Sequence, residues 1–594
     1  MLFSSFLLLS ASSLVAPALA KSKPTLDAAT HRELLLNGRP QIGLWKALLR
    51  QKERELQLEE DLSSDLLTSE NTQHTFSASK VKSKPKFEAH CFPQLISHFD
   101  DSVNGTFCQR YWLDASSYKE GGPVFVLDGG ETSGADRIPF LEKGILQILS
   151  NATNGLSIVL EHRYYGESVP VPSFSTDDLR FLNNAEALED SAYFIENFKA
   201  PSSLISLSDP SALHPSNTPW IYYGGSYAGA RAAHMRVQYP HLVWGAIASS
   251  AVTHAQVSYP EYFDPIQRYG PEECISAIQS SIKTIDMLLD LPAPVPQLLK
   301  SLFGLGELES DTDFVEVLSS PTGYWQGKNW DPAIGSLEFY NFCDTLTAGG
   351  ASSRLGLVKV PAEVVNYAKY IKENVVSRCP RSDGNPASDI EDCFGSQDDS
   401  KMQETDLSQT WRLWLFQVCT QWGYFQHAPL EGPSILSRRF VDLHAINPII
   451  TSLTTDIPFD TQYRIDLEHT SKGCRQAYPP GKYFTVPAIP DVEEINARGD
   501  YAIEADRLAF IDGDRDPWRP VTPNSDVAPR RNSSVNKPVH IIFDGVHHYD
   551  ENGLTNHDEE PARIKDIHEF ERLFVSEWVA RFYEEKENAK ENVV

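Results

Sequence analysis

Short apolar runs and longer amphipathic stretches alternate through the first half of the chain. Thr106 to Leu113 alternates apolar and polar positions, as a strand with one covered face does. Gly122 to Leu127, Leu156 to Leu160, Pro219 to Tyr223 and Val243 to Ser249 are brief apolar runs closed by turn residues. Such runs leave no polar face for water, which is how strands read in a parallel sheet covered by helices on both sides. Helical spacing fills the intervals at Asn184 to Phe198 and at Ala230 to Gln238, where Pro240 ends the run. From residue 255 to about 499 the alternation lapses. Ile275, Ile278, Ile282, Ile285 and Leu289 keep helical spacing there, as do Val364, Ala368, Ile371 and Val375 behind Pro361. Thr410 to Phe416 is aromatic-rich and helical. Strand-like runs return at Arg507 to Ile511 and Val539 to Phe543. A closing amphipathic helix carries Phe570, Leu573, Phe574, Trp578 and Phe582.

One turn in this pattern carries chemistry. Gly224-Gly225-Ser226-Tyr227-Ala228-Gly229 joins a strand-like run to a helix-like one. A serine on a sharp strand-to-helix turn among small residues is the nucleophile elbow of an α/β-hydrolase. The turn lifts the hydroxyl clear of the sheet and aims the helix's first N–H groups at the reacting centre. Ala228 stands where the strict pattern has glycine, and a small side chain there still lets helix and strand approach. The predicted fold is α/β: an α/β-hydrolase sheet with an inserted, mostly helical, disulfide-pinned cap.

Serine acyl transfer needs a base beside the hydroxyl and an acid that orients the base. In this fold the acid and then the histidine follow the serine along the chain. Asp512, Asp514 and Asp516 lie on the turn after one late strand, and His547 and His548 after the last. Any of the three aspartates and either histidine fits by position. A calcium-type loop on the aspartates lacks the later ligands of an EF-hand. Such chemistry needs no metal and no cofactor. The backbone N–H of Tyr227 and one from the loop at Gly130 or Glu131 would hold the oxyanion. His162, His234 and His241 read as structural or surface residues. Glu131 suits a turn cap first and a substrate amine second.

Composition narrows the setting. The 594 residues hold 81 acidic and 52 basic side chains, for a net charge of −29. An acidic chain argues against nucleic acid as a partner. Residues 1–20 read as a secretory signal peptide, with apolar residues at Phe6 to Leu9 and Leu14 to Ala16 and a cleavage site at Ala18-Leu19-Ala20. No other stretch is long and apolar enough to span a membrane. The chain is expected to be secreted, or vacuolar or lysosomal by the same route. Residues 21–88 read as a charged extension or pro-segment. The hydrolase domain follows in two parts, 89–254 and 500–594, around a cap at 255–499. Eight cysteines in a secreted chain suggest disulfides, with Cys91–Cys108 and Cys379–Cys393 as local pairs. They form no C-x-x-C pairs, which speaks against a zinc site. Asn104, Asn151 and Asn532 head N-glycosylation tripeptides.

Several of these stretches together resemble a known family. Gly-Gly-Ser-Tyr, Glu161-His162-Arg163-Tyr164-Tyr165-Gly166-Glu167-Ser168, Asp516-Pro517-Trp518 and Gly545-Val546-His547-His548 are similar to motifs of the lysosomal Pro-X carboxypeptidase and dipeptidyl peptidase II family of serine peptidases. The likeness extends to Pro123 through Glu131 and to Cys419 through Gln426, and is greatest to the secreted fungal-type members. It implies Ser226 as nucleophile, Asp516 as orienting acid and His547 as base. It also implies peptide or protein substrates cleaved next to proline, by a carboxypeptidase, a dipeptidyl peptidase or an endopeptidase, with Trp518 walling the proline pocket. A monomer or homodimer is expected. The chain departs from the family pattern at Ala228, Asp512, Gln421 and the stretch Tyr549-Asp550-Glu551-Asn552, with the three triad positions intact. Two rivals remain on the same fold: an esterase or lipase, and a catalytically silent binding protein.

Overall fold

The computed structural model describes residues 86–379, 390–438 and 464–591. The expected signal peptide and nearly all of the expected extension at 21–88 lie outside the described residues. Eight strands form one sheet: β1 (His90–Leu95), β2 (Thr106–Asp114), β3 (Val124–Asp128), β4 (Leu156–Leu160), β5 (Trp220–Gly225), β6 (Gly245–Ser249), β7 (Leu508–Gly513) and β8 (Val539–Ile542). Their order across the sheet is β1-β2-β4-β3-β5-β6-β7-β8. β2 runs antiparallel to β1 and β4, and the remaining neighbours are parallel. This is the α/β-hydrolase arrangement.

The apolar runs explain the parallel part. Every residue of β3 to β7 is buried. Alternate side chains enter two cores on opposite faces of the sheet. Phe125, Leu127, Val159, Ile221, Tyr223, Ile247 and Ile511 meet Leu146 and Leu149, and Phe574 and Trp578 of the closing helix Ala562–Glu591. Val124, Val126, Ile158, Trp220, Tyr222, Ala246 and Phe510 meet the helices Asn184–Asn197 and Tyr227–Gln238. Leu573, expected on the covered face of the closing helix, is instead exposed. β1 has no clear signature in the sequence, because Pro93 and Gln94 break its apolar alternation. An edge strand tolerates proline, and the Cys91–Cys108 bridge ties it to β2.

Between β6 and β7 the chain leaves the sheet. The helices Glu272–Leu289 and Ala362–Asn374 carry the isoleucine and valine stripes read from the sequence. Pro361 caps the second helix rather than entering its first turn. Cys274–Cys343 joins two helices of this excursion, and Cys419–Cys474 ties the turn after the helix Trp411–Gln417 to the helix Leu467–Ala477. Cys379–Cys393 is the second of the two local pairs expected. Bridges of this kind stabilise a fold by about 2–4 kcal/mol each. Among the described residues no helix is long and apolar enough to cross a membrane.

Candidate active site

Ser226 follows directly on β5 and precedes the helix Tyr227–Gln238. Its φ of 62° and ψ of −122° place a residue with a side chain in sparsely populated backbone space. The surroundings hold it there. The Ser226 N–H donates to the Ser249 carbonyl at 2.8 Å. Small neighbours let the turn close. Gly130 has a φ of 63°, the left-handed region that favours glycine, while a Cβ there would meet the Ala228 methyl only at an ordinary contact of 3.4 Å. A Cβ on Gly225 would overlap the Glu551 carboxylate.

The acid loop follows β7 and the histidine loop follows β8, so both reach the same sheet edge as Ser226. His547 Nδ1 lies 2.8 Å and 3.0 Å from the two oxygens of Asp516. Of the three aspartates only Asp516 makes this contact. Asp512 is buried and accepts from Asn524 at 2.6 Å, while Asp514 lies near Arg515. His548 turns the other way, with Nδ1 2.9 Å from Glu551. Ser226 Oγ and His547 Nε2 are both buried and have no hydrogen-bond partner among the described residues. The serine and histidine are therefore brought to one edge but not into a hydrogen bond.

Electrostatics separates the groups. Burial pushes the Asp516 carboxyl up, but His547, the Trp518 N–H and the Ser250 hydroxyl outweigh it and hold it below its ordinary value. Burial, aided by His548, lowers His547 despite the pull of Asp516. A neutral imidazole beside an ionised carboxylate is the state a general base requires. Burial and the Asp516 charge push Asp512 well above the carboxylate range. His548 is raised, since Glu551 outweighs its burial.

The other expected residues are distributed as follows. The Gly130 N–H donates to Asp128 Oδ1 at 3.0 Å, so this amide is already engaged rather than open to the oxyanion expected there. Tyr227 is the first residue of its helix, where an N–H has no intrahelical acceptor. Trp518 is buried, donates from Nε1 to Gln326 at 2.9 Å, and packs against Tyr259, Tyr262 and Tyr424. Its ring centroid is 6.3 Å from that of His547. Glu131 is buried and is one of the charges acting on the Tyr227 phenol. The cap of the turn behind it is Ser133, which accepts from the Ala135 N–H. Gln421 is tied to the Asn184 N–H at 3.0 Å and to Glu494. Asn104, Asn151 and Asn532 are all exposed.

Sequence reasoning missed two residues that organise the loops. Ser250 accepts from the His548 N–H at 3.0 Å and its hydroxyl bonds Asp516, joining the histidine and acid loops. Asp550 accepts from Tyr223 of β5 and from Ser249 at the end of β6. Both sit beside recognised motifs, but their roles depend on strands distant in sequence. The excursion between β6 and β7 also grips the loops. Trp325 Nε1 donates to the Arg515 carbonyl at 3.0 Å and Trp330 Nε1 to the Tyr549 carbonyl at 2.8 Å.

The chain is similar to known proteins along most of its described length. A family model described as serine carboxypeptidase S28 matches residues 94–437, more than half of the chain. A protein of Arthroderma benhamiae named "Probable extracellular serine carboxypeptidase" is 39% identical over 83% of this chain and 68% of its own length. The "Serine protease vicPa" of Bipolaris victoriae is 26% identical over 83% of this chain and 89% of its own. The "Thymus-specific serine protease" of Mus musculus is 27% identical over 77% of this chain and 81% of its own.

Proposed function

The chain belongs to the serine carboxypeptidase S28 family, and on that premise we propose that it is a secreted exopeptidase that cleaves peptides next to proline. It works through an acyl-enzyme on Ser226. His547 Nε2 takes the proton from Ser226 Oγ as the oxygen attacks the scissile carbonyl. Asp516 stays ionised and holds the imidazole by Nδ1. The Tyr227 N–H receives the oxyanion. His547 then returns the proton to the leaving amine, and water releases the acyl group.

One observation carries this reading most. Asp516 fixes His547 by one nitrogen, while the other nitrogen and the elbow hydroxyl are both buried and without a hydrogen-bond partner among the described residues. Catalytic hydrogen bonds are often open in the absence of substrate. Exopeptidase action is supported by enclosure: Ser226 is 3% exposed and His547 4%. A site so covered suits chain ends better than folded protein. The described residues between 255 and 499 act as the cap. Trp518, beside His547, offers a flat wall to a pyrrolidine ring, and Glu131 a charge for a substrate amine. Secretion is supported by the signal-like first 20 residues and by the word extracellular in the name of the Arthroderma relative.

Fluorophosphonate labelling followed by peptide mapping tests the assignment. The label is expected on Ser226, and Ser226→Ala is expected to abolish both labelling and turnover in folded protein. A label on another serine overturns it.

A further inference from the structure

Tyr227 lies next to the nucleophile, and its side chain leads away from the sheet into the excursion between β6 and β7. Its ring packs on Trp414 and Trp422, at centroid distances of 5.3 Å and 5.1 Å. Four buried polar groups meet there in a chain. The Tyr165 hydroxyl donates to Gln417 Oε1 at 2.6 Å. Gln417 Nε2 donates to the Tyr227 hydroxyl at 2.9 Å. The Tyr227 hydroxyl is 2.9 Å from His162 Nε2, and His162 Nδ1 is 2.7 Å from the Arg163 carbonyl.

The chemistry of these groups fixes every direction. A carbonyl only accepts, so His162 carries its proton on Nδ1 and accepts at Nε2. Burial lowers the His162 pKa to about 3, which keeps the ring neutral. Tyr227 must then donate to His162, which leaves its oxygen free to accept from the Gln417 amide. Each of the three bonds then pairs one donor with one acceptor, and Gln417 and Tyr227 are both fully enclosed.

We propose that Gln417 is a positioning residue for catalysis: it holds the Tyr227 phenol and thereby sets the Ser226–Tyr227 peptide, whose N–H receives the oxyanion. The Ser226 φ of 62° needs such support from its surroundings. On the sheet side, the Ser226 N–H is held by Ser249. On the far side, Tyr227 is anchored by Gln417 from the helix Trp411–Gln417. Gln417 acts in this way only if Ser226 is the nucleophile.

Substitutions at Gln417 and Tyr227 test the role, read by the rate of fluorophosphonate labelling and by kcat and KM on a peptide that the wild type cleaves. Gln417→Leu is expected to slow labelling and lower kcat by about 10- to 100-fold, less than loss of an oxyanion donor outright, with KM changed little. Gln417→Glu carries its own control. A protonated carboxyl both accepts from Tyr165 and donates to Tyr227, whereas a carboxylate cannot donate. Its kcat is therefore expected to approach wild type at acid pH and to fall as the carboxyl ionises, a step that the wild-type profile lacks. Tyr227→Phe should match Gln417→Leu, and the double variant should lose no more than either alone. If Gln417→Leu fails to fold, the Gln417→Glu profile decides. Wild-type rates in Gln417→Leu, or a Gln417→Glu profile parallel to wild type, overturn the role of Gln417 while Ser226 labelling of the wild type stands. A wild type not labelled at Ser226 overturns the nucleophile and this role together.

Discussion

Glu571 of the closing helix sets its carboxyl against that of Asp550, three residues beyond His547, and both are fully buried. Neither forms an ion pair with a basic side chain among the described residues. Tyr223 and Ser249 donate to Asp550, while neither oxygen of Glu571 has a donor among the described residues. Burial is the first cause raising each group, and the Asp550 charge raises Glu571 further. Two carboxyls so placed do not both ionise readily, and Glu571 is held well above the ordinary carboxylate range.

Both carboxyls are raised in the folded state, so the fold binds their protons more tightly than the unfolded chain does. The stability this confers is complete below the ordinary carboxyl range, at about pH 4, and is lost as pH rises through the folded-state values. A pKa raised by one corresponds to about 1.4 kcal/mol. Measured against Glu571→Gln, the wild type should lose melting temperature as pH rises from acid to neutral. Parallel melting profiles for the two proteins would refute the raised Glu571 carboxyl.

Asp512 and Asp516 should separate cleanly. Asp516→Asn removes the carboxylate that orients His547, and kcat is expected to fall by about 10⁴-fold. Asp512→Asn removes a buried carboxyl pushed well above its ordinary value. Its kcat should stay within a few-fold of wild type, with stability gained at neutral pH. Steady-state kinetics and thermal melts of the two variants decide, and equal loss of kcat would contradict the assignment of the acid.

The lowered His547 pKa sets the acid limb of activity. A base must be neutral to accept the serine proton, and a lowered pKa keeps it neutral further into acid. The acid limb of kcat/KM should therefore have its midpoint below the ordinary histidine value of about 6.5. A midpoint above that value would show that another group, or a charged His547, governs the rate.

Digestion of a mixed peptide library, read by mass spectrometry, should show cuts near chain ends and next to proline. Trp518→Ala should raise KM for proline peptides more than for others, with p-nitrophenyl ester hydrolysis reduced less. Internal cuts with no regard to proline would oppose the proposed specificity.

Much of this fold is legible in the sequence because local composition decides it. β3 to β6 are largely apolar or small, and a run with no polar face has only one place in a covered sheet. Ser226 stands out because glycine and alanine cluster where the chain must turn sharply. Where contacts span long sequence separations, legibility ends. Asp516 is distinguished from Asp512 and Asp514 only by the direction each side chain takes. Tyr227 and Gln417 are 190 residues apart and meet through tertiary packing alone. The Gly130 amide reads as available along the chain, but in the fold the Asp128 carboxylate occupies it. Leu573 lies opposite the buried stripe of Ile567, Glu571, Phe574, Val575 and Trp578, so an apolar residue there faces solvent.

Trp325 and Trp330 clasp the backbones of the acid and histidine loops from the excursion between β6 and β7. The excursion and the acid and histidine loops are thereby built into one mechanical unit. A chimaera that borrows the excursion from a distant relative without residues 512–518 and 544–551 would inherit mismatched indole sockets.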